Sequence, residues 1–539
     1  MRQACGASLT ARNSMETPTV HVRKRRDQSG SRGHDGVMHL DRDACYRALQ
    51  ARDARFDGRF FTAVRTTGIY CRPICPARTP KFENVVFYRT ALAAQQAGFR
   101  PCLRCRPESS PDLAAWRGTS SLVSRALALI VAGALDDDGT VDRLAGRLGI
   151  GERQLRRLFR DDLGASPIAV AQTRRVLFAK QLIHETQMNM VDVAAAAGFG
   201  SLRRFNQTFS SLYARPPSAL RRQRSGLAAG WTPGSAITLQ LSYAPPYDWP
   251  AMIEFLGRRA IPGVELVEAD RYVRTVALEG RHGTIEVRPV ADRPAIAATI
   301  LFPNVRALPS IVTRIRRVFD LAADVALIDR QLADDPVMAR LVDARPGLRL
   351  PGAWDGFELA IRAILGQQVT LTAARQLAGK LVESYGAPLT DDGSRGIVGL
   401  TAVFPRPADL VGADLGVLGV PRARAASISA LAATAAGDPD LFARDRSLAT
   451  AVARLTALPG IGEWTAQYIA MRALREPDAF PASDVGLLRA MADADGVRPT
   501  PAALLARAET WRPWRAYAAQ HLWASLSAPV PVQREEAVA

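Results

Sequence analysis

The sequence predicts a multidomain, mainly α chain carrying two small domains that mix strands and helices. Three observations predict it. Four of the six cysteines fall into two close pairs between residues 71 and 105. Ala/Leu/Arg-rich stretches of helical character occupy residues 120–224 and again the region from about Arg317 to Ser527. Strand-like alternation is confined to the stretch between them. At 539 residues the chain has room for about three or four domains, each able to bury its own core.

Residues 1–37 are polar and Arg-rich without the apolar stretch of a signal peptide, and read as a disordered extension. "MHLDRDACYRAL" at Met38 reads as a natural beginning, so Met1, Met15 and Met38 all stand as starts. The longest apolar runs, such as "LALIVAGAL", are too short to span a bilayer, so a cytoplasmic chain with no membrane partner is expected. The formal charge is +18 at pH 7, and the only lysines are Lys24, Lys81, Lys180 and Lys380. Arginine therefore carries nearly all the positive charge, and arginine binds phosphate bidentately. Basic character alone is weak evidence for nucleic acid, because a GC-rich genome also enriches Arg and Ala.

The seams follow composition. A compact cysteine-containing domain covers 38–112 and a helical domain 118–226. "GLAAGWTPGS" is a linker. An antiparallel α+β domain covers 236–318, where "AITLQLSY", "YVRTVALEG" and "GTIEVRPV" alternate as strands. An all-α domain covers 319–528, with 529–539 as a disordered tail.

The first domain holds Cys71-x3-Cys75-x26-Cys102-x2-Cys105, the two-pair form of a tetrahedral zinc site. In a reducing cytosol such pairs are more often metal ligands than disulfides. A domain this small has little core, and a structural zinc supplies roughly 10–16 kcal/mol of apparent binding energy. Spacing alone therefore favours one Zn2+ held by four cysteines and acting as a structural staple. Cys5 and Cys45 lie outside the pattern.

The second domain repeats one scheme. "VDRLAGRLGIGERQLRRLFRDDLG" puts Leu144, Ala145 and Leu148 on one helical face, turns at Gly149, and puts Leu155, Leu158 and Phe159 inward, leaving Arg153, Gln154, Arg156 and Arg157 outside. "MVDVAAAAGFGSLRRFNQTFSSLY" turns at Gly198, with Leu202, Phe205, Phe209 and Leu212 inward and Arg203, Arg204, Asn206 and Gln207 outside. Tandem helix-turn-helix units present such faces to the major groove, where Arg reads guanine and Asn or Gln reads adenine. A charged helical face is more often merely solvated; the repetition favours DNA.

In the last domain, "LPGIG" precedes the helical "EWTAQYIAMRAL". Gly460 and Gly462 would let a phosphate approach the backbone N–H groups of that helix start. Asp484 follows in "FPASDVGLLRAM"; most such aspartates are N-caps. "WRPWRAYAAQHLW" adds Trp511, Trp514, Tyr517 and Trp523, which read first as core and second as a surface for an extruded base.

Three resemblances cover nearly all of the chain from Met38. "FFTAVRTTGIYCRPICPARTPKFENVVFYRTALAAQQAGFRPCLRC" resembles the methylphosphotriester domain of Ada-type adaptive-response proteins. The tandem repeat resembles AraC-type DNA-binding domains. "YAPPYDWPAMIEFL", "ARPGLRLPGAWDGFELAIRAILGQQV", "LPGIGEWTAQYIAMRAL" and "PWRAYAAQHLW" resemble AlkA-type 3-methyladenine DNA glycosylases of the helix-hairpin-helix superfamily. The fold class is then a small Zn-bound α/β domain, a tandem helix-turn-helix α domain, a small antiparallel α+β domain and an all-α helix-hairpin-helix glycosylase domain.

The resemblance implies that Cys71 is a zinc-bound thiolate taking methyl irreversibly from a DNA methylphosphotriester, with Cys75, Cys102 and Cys105 completing the site and Arg78 and Arg100 flanking the phosphate. It implies that Asp484 is the glycosylase carboxylate, that Trp464, Tyr468 and Trp523 line the base pocket, and that Gly460 and Gly462 bind the DNA backbone beside a monovalent cation. Double-stranded DNA and RNA polymerase are the implied partners, in a nucleoid-associated protein. There are departures. No cysteine follows Cys105, so the family's second, guanine-repairing methyltransferase and any cysteine-ligated iron–sulfur cluster are not encoded. Gln368 stands at the position of an intercalating leucine, and Val485 replaces a pocket tyrosine. Trp464 occupies the place of the lysine nucleophile of bifunctional relatives, so a monofunctional glycosylase is expected. The alternatives are a methyl-sensing transcription factor with an inactive, DNA-scanning glycosylase part, and a plain zinc finger.

Overall fold

The computed structural model describes residues 42–53, 56–105, 107, 121–131, 133–136, 139–221, 234–389, 397–443 and 447–526. The N-terminal extension, the candidate start codons, most of the 226–235 linker and the 529–539 tail lie outside the described residues. Among the described residues, no helix is long and apolar enough to cross a membrane.

The first domain is a four-stranded sheet of order β3-β1-β2-β4, formed by Phe61–Val64, Ile69–Cys71, Val85–Tyr88 and Arg100–Pro101 as β1 to β4. Helices α1 (Arg42–Ala51) and α2 (Ala91–Gln96) accompany it. Ala63 and Tyr70 are fully buried between strand and helix. β2 pairs with β4 in parallel, Tyr70 opposite Pro101. That register carries Cys71 and Cys102 out of adjacent strands side by side.

Six helices follow: α3 (Ser121–Val131), α4 (Val141–Arg147), α5 (Glu152–Leu163), α6 (Pro167–Glu185), α7 (Met190–Ala196) and α8 (Leu202–Tyr213). Thr140, Ser166, Asn189 and Ser201 each accept the N–H three residues on, which fixes four of these helix starts. Gly149 and Gly198 supply the left-handed turns (φ 69° and 81°) that only glycine adopts without strain. A side chain at Gly198 would also press on the Asp136 carboxylate, 3.0 Å away.

The next domain is a five-stranded antiparallel sheet of order β5-β9-β8-β7-β6, from Ile237–Ser242, Glu265–Glu268, Arg271–Leu278, Arg281–Pro289 and Ala295–Leu301 as β5 to β9. Helix α9 (Trp249–Gly257) lies between β5 and β6 in sequence. β6 and β9 add to the three strands expected; "AIAATIL" of β9 carries a single polar residue, Thr299, too little polar alternation to announce it. The helical region begins at α10 (Leu308–Val318), with Pro309 in its first turn, rather than near Arg317.

The last domain is all-α, with α11 (Val325–Leu332), α12 (Pro336–Ala344), α13 (Gly356–Leu365), α14 (Leu371–Tyr385), α15 (Pro407–Leu410), α16 (Arg422–Gly437), α17 (Leu448–Thr456), α18 (Glu463–Arg472), α19 (Val485–Ala490), α20 (Pro501–Ala508) and α21 (Arg515–Ser525). One large apolar cluster from Ile261 to Leu522 holds it together.

Helix α6 joins three of these parts. Its buried Lys180 donates to the Cys102 carbonyl (3.2 Å) and lies 5.5 Å from the Tyr213 ring of α8. The next residue, Gln181, donates to the Gln240 carbonyl on edge strand β5 (3.0 Å), and Glu185 accepts the Gln240 N–H (2.9 Å). Edge-strand groups that would otherwise stay open are thereby satisfied. Apolar residues of α6 to α8 share one core with the sheet. An Arg59–Asp324 ion pair ties the first domain to the last.

Candidate functional sites

Cys71 ends β2, Cys102 follows β4, and Cys75 and Cys105 close the turns after them. The four sulfurs lie within 4.8 Å of one another. A Zn–S bond of about 2.3 Å gives a tetrahedron edge of about 3.8 Å, so the cluster fits Zn2+ with small adjustments. The sulfurs are not equivalent. Arg72 N–H donates to Cys105 Sγ (3.3 Å), Arg104 N–H to Cys102 Sγ (3.4 Å), and the Ala77 N–H to Cys75. No N–H among the described residues is directed at Cys71, which is also the partly exposed member of the set. Each N–H···S bond withdraws charge from its sulfur, so Cys71 keeps the most nucleophilic pair and the open approach. Arg72, buried, is locked to Asp57 (Nε···Oδ1 2.8 Å) and to the Cys105 carbonyl (3.2 Å), which fixes the exit of β2. Arg78 and Arg100 are exposed, on the segments that carry Cys75 and Cys102.

On α5, Arg153, Gln154 and Arg157 are exposed. Arg156 is half-buried, its Nε bonded to Glu152 (2.7 Å), so its charge is partly spent within the helix. On α8, Arg203, Arg204, Asn206 and Gln207 are exposed over a floor of Phe205 and Phe209. Leu202, expected inward, is 38% exposed: it opens the helix, where the chain is still arriving from the turn.

In the last domain Asp484 is the N-cap of α19, as a reading blind to chemistry expects, and more. Its Oδ1 accepts the Leu487 N–H (2.9 Å) and Trp523 Nε1 (2.8 Å), and its Oδ2 accepts Trp464 Nε1 (2.8 Å). Three donors thus hold one carboxylate in place. Gly486 makes this arrangement fit, since a Cβ there would lie 2.9 Å from Asp484 Oδ1 and 3.2 Å from the Trp523 ring. Trp464 and Tyr468, one helical turn apart on α18, stack with centroids 5.3 Å apart and planes 6° from parallel. Tyr468 meets Trp523 edge-on at 6.5 Å.

These residues line a cleft of about 820 Å³ between α9 and the helical domain, which also takes in Phe255, Arg259, Arg472 and Gln520. None of those four was expected from the sequence. Arg472 continues the i, i+4 stripe of Trp464 and Tyr468, a signal that was present; Phe255 and Arg259 come from another domain and gave none. Burial lowers the Arg472 guanidinium to about 10 and also lowers that of Arg259. For Tyr468 burial acts upward, but Arg472 and Arg259 outweigh it and hold the phenol below its ordinary value.

The turn before α18 sits beside the cleft. Gly460 has φ 78°, and a Cβ there would fall 2.0 Å from Ser427 Oγ of α16, whereas the space at Gly462, the N-cap, is open. Gln367 donates to the Gly460 carbonyl (2.9 Å) and so ties the α13–α14 loop to this turn. At that loop's tip Gln368 is exposed in the left-handed region (φ 56°), a strained position for a residue with a side chain. Val485, 63% exposed, contributes no ring to the cleft.

Residues 44–108 match the metal-binding domain of Ada, 144–223 a helix-turn-helix domain, 238–355 the AlkA N-terminal domain, and 361–516 the HhH-GPD superfamily of base excision DNA repair proteins. The chain is 42% identical over 494 residues to the probable bifunctional transcriptional activator/DNA repair enzyme AlkA of Mycobacterium tuberculosis, covering 92% of this chain and 98% of that one. It is 34% identical over 286 residues to DNA-3-methyladenine glycosylase 2 of Escherichia coli, covering 52% of this chain and 95% of the relative. To the bifunctional transcriptional activator/DNA repair enzyme Ada of Escherichia coli it is 39% identical over 136 residues, 25% of this chain and 37% of that protein. With the four-thiol centre, the paired recognition helices and the aspartate-floored aromatic cleft in one polypeptide, the chain belongs to the AlkA-type family of bifunctional transcriptional activators and DNA repair enzymes.

Proposed function

We propose that this protein repairs alkylated DNA at two centres and converts repair at the first into a transcriptional signal. At the first centre Cys71 attacks the methyl carbon of a DNA methylphosphotriester: an S–C bond forms, the C–O bond breaks, and the phosphodiester leaves as an anion, with no proton to move. Bound Zn2+ keeps the sulfurs deprotonated at neutral pH. Arg78 and Arg100 steady the phosphate. The thioether is stable, so each molecule acts once. Four thiolates on Zn2+ carry a net charge of minus two, and methylation halves it; DNA affinity then rises, and the faces of α5 and α8 engage the promoter and present the protein to RNA polymerase. The uneven N–H···S bonding at the sulfurs carries this assignment. Peptide mapping after exposure to methylated DNA is expected to find a single added methyl, on Cys71; a methyl on Cys75, Cys102 or Cys105 instead would overturn it.

At the second centre an alkylated purine such as 3-methyladenine is flipped into the aromatic cleft. The turn at Gly460 and Gly462 grips the backbone, with a monovalent cation, and Gln368 fills the vacated stack. Asp484 stabilises the positive charge that develops on the sugar as the glycosidic bond breaks, and water completes the hydrolysis. A carboxylate about 4 Å from that charge contributes about 4 kcal/mol at an effective dielectric near 20, or about three powers of ten in rate. Trp464 stands in the lysine position and its indole is bonded to Asp484, so the enzyme is a monofunctional glycosylase. Borohydride is expected to trap no protein–DNA adduct.

A further inference from the structure

Arg472 lines the cleft without a part in the steps above. Arg472 closes α18, two turns after Trp464, so Trp464, Tyr468 and Arg472 form a stripe with Asp484 bonded at one end and a guanidinium at the other. Its Cζ lies 4.4 Å from the Phe255 centroid, 5.0 Å from Tyr468 and 5.5 Å from Trp523. It donates to the Pro351 carbonyl (2.8 Å) and to Gln520 Oε1 (3.1 Å), while its Nε finds no partner among the described residues. Arg472 is 2% exposed, and among the described residues no carboxylate pairs with it or with Arg259, whose Cζ lies 3.9 Å from the same Phe255 centroid. The charged and titratable neighbours that face Arg472 are Arg259, Arg475 and Tyr468. A buried cation without a counterion is costly, and two neutral acceptors offset only part of that cost.

We propose that Arg472 is the base-side electrostatic counterpart of Asp484, a positioning residue that favours electron flow into the departing base and decides which bases profit from it. The inference rests on the glycosylase reading. When the glycosidic bond breaks heterolytically, its electron pair goes to the base. An alkylated cationic purine goes from +1 to 0, and a neutral purine from 0 to −1, taking a proton afterwards from water. A fixed positive charge at the base end favours both changes. For the cationic base it does so by relieving repulsion already present in the bound substrate. For the neutral base it stabilises new charge in the transition state. The two substrates therefore respond differently in kcat/KM.

The test is kcat and KM for the full chain on duplexes carrying 7-methylguanine, a cationic base, or hypoxanthine, a neutral one, with wild type, Arg472→Met and Arg472→Lys. Arg472→Met is expected to lower kcat/KM for hypoxanthine by roughly 10- to 100-fold while that for 7-methylguanine moves by less than about 3-fold, its kcat and KM falling together. Arg472→Lys is expected to restore most of the hypoxanthine activity. Arg259→Met is expected to shift the same ratio in the same direction, which keeps the test open should Arg472→Met not fold. Equal losses on both substrates without rescue by lysine would mean a packing role and overturn the proposal. So would a wild type that releases 7-methylguanine but not hypoxanthine. Release of neither base by wild type would sink the glycosylase reading itself, and this inference with it.

Discussion

The metal centre takes all four of its sulfurs from the stretch between Cys71 and Cys105, brought within 4.8 Å by two strand ends and two tight turns. The cleft instead draws Phe255, Trp464, Asp484 and Trp523 from two domains; Phe255 and Trp523 pack at the margins of large apolar clusters, and Asp484 is bonded to both Trp464 and Trp523. The first site borrows its stability from coordination; the second from the core. The proposed reactivity differs too: at the thiols it rests on which sulfur lacks an N–H donor, at the cleft on a carboxylate that has three. A local, ligand-built site and a remote, core-built site can thus be damaged separately, even though α6 touches the zinc loop, the recognition helix and the sheet beneath the cleft.

The largest expected effect separates them by metal. Chelation of zinc, or Cys105→Ser, removes binding energy of about 10 kcal/mol or more and is expected to unfold the first domain. Proteolysis should then remove that domain while base release by the remainder persists, since no cleft residue depends on the metal. Next comes Trp523→Phe, which keeps a ring but deletes the N–H on Asp484 Oδ1. A hydrogen bond to a charged group is worth about 1.5–3 kcal/mol, so the single-turnover rate of base release is expected to fall about 10- to 100-fold with methyl uptake unaltered. Gly460→Ala forces a Cβ against Ser427 Oγ at a left-handed position, and is expected to weaken binding to a duplex with an abasic analogue by about tenfold, measured by anisotropy. The smallest effect compares two neighbours on α5. Arg157→Gln should weaken promoter binding and lower the salt slope by about one, whereas Arg156→Gln, already paired with Glu152, should change it by less than about threefold.

The same contrast explains what the sequence made legible. Four thiols in two short-spaced pairs announce their site because the chain between them has no choice but to bring them together. The outward faces of α5 and α8 were legible through 3.6-residue periodicity, but not Arg156, whose use depends on Glu152 one turn earlier, nor Leu202, which sits where the helix begins and burial has not yet set in. Asp484 on residue chemistry alone is an N-cap, and it is one; only likeness to known glycosylases pointed to chemistry. Phe255 and Arg259 were invisible because nothing local links them to a helix two hundred residues on. Strand β9 has only Thr299 as a polar residue among apolar ones, so its alternation does not show in the sequence, and α10 begins earlier than expected, with Pro309 in its first turn.

The central claim is that one chain holds two repair chemistries assigned to different residues. Its most direct test is to expose wild type, Cys71→Ala and Asp484→Asn to methylated DNA carrying labelled methyl groups, scoring protein-bound label and released free base in the same tube. Loss of label alone in Cys71→Ala, and loss of free base alone in Asp484→Asn, is the predicted result. Label still bound by Cys71→Ala, or free base still released by Asp484→Asn at the wild-type rate, would contradict it.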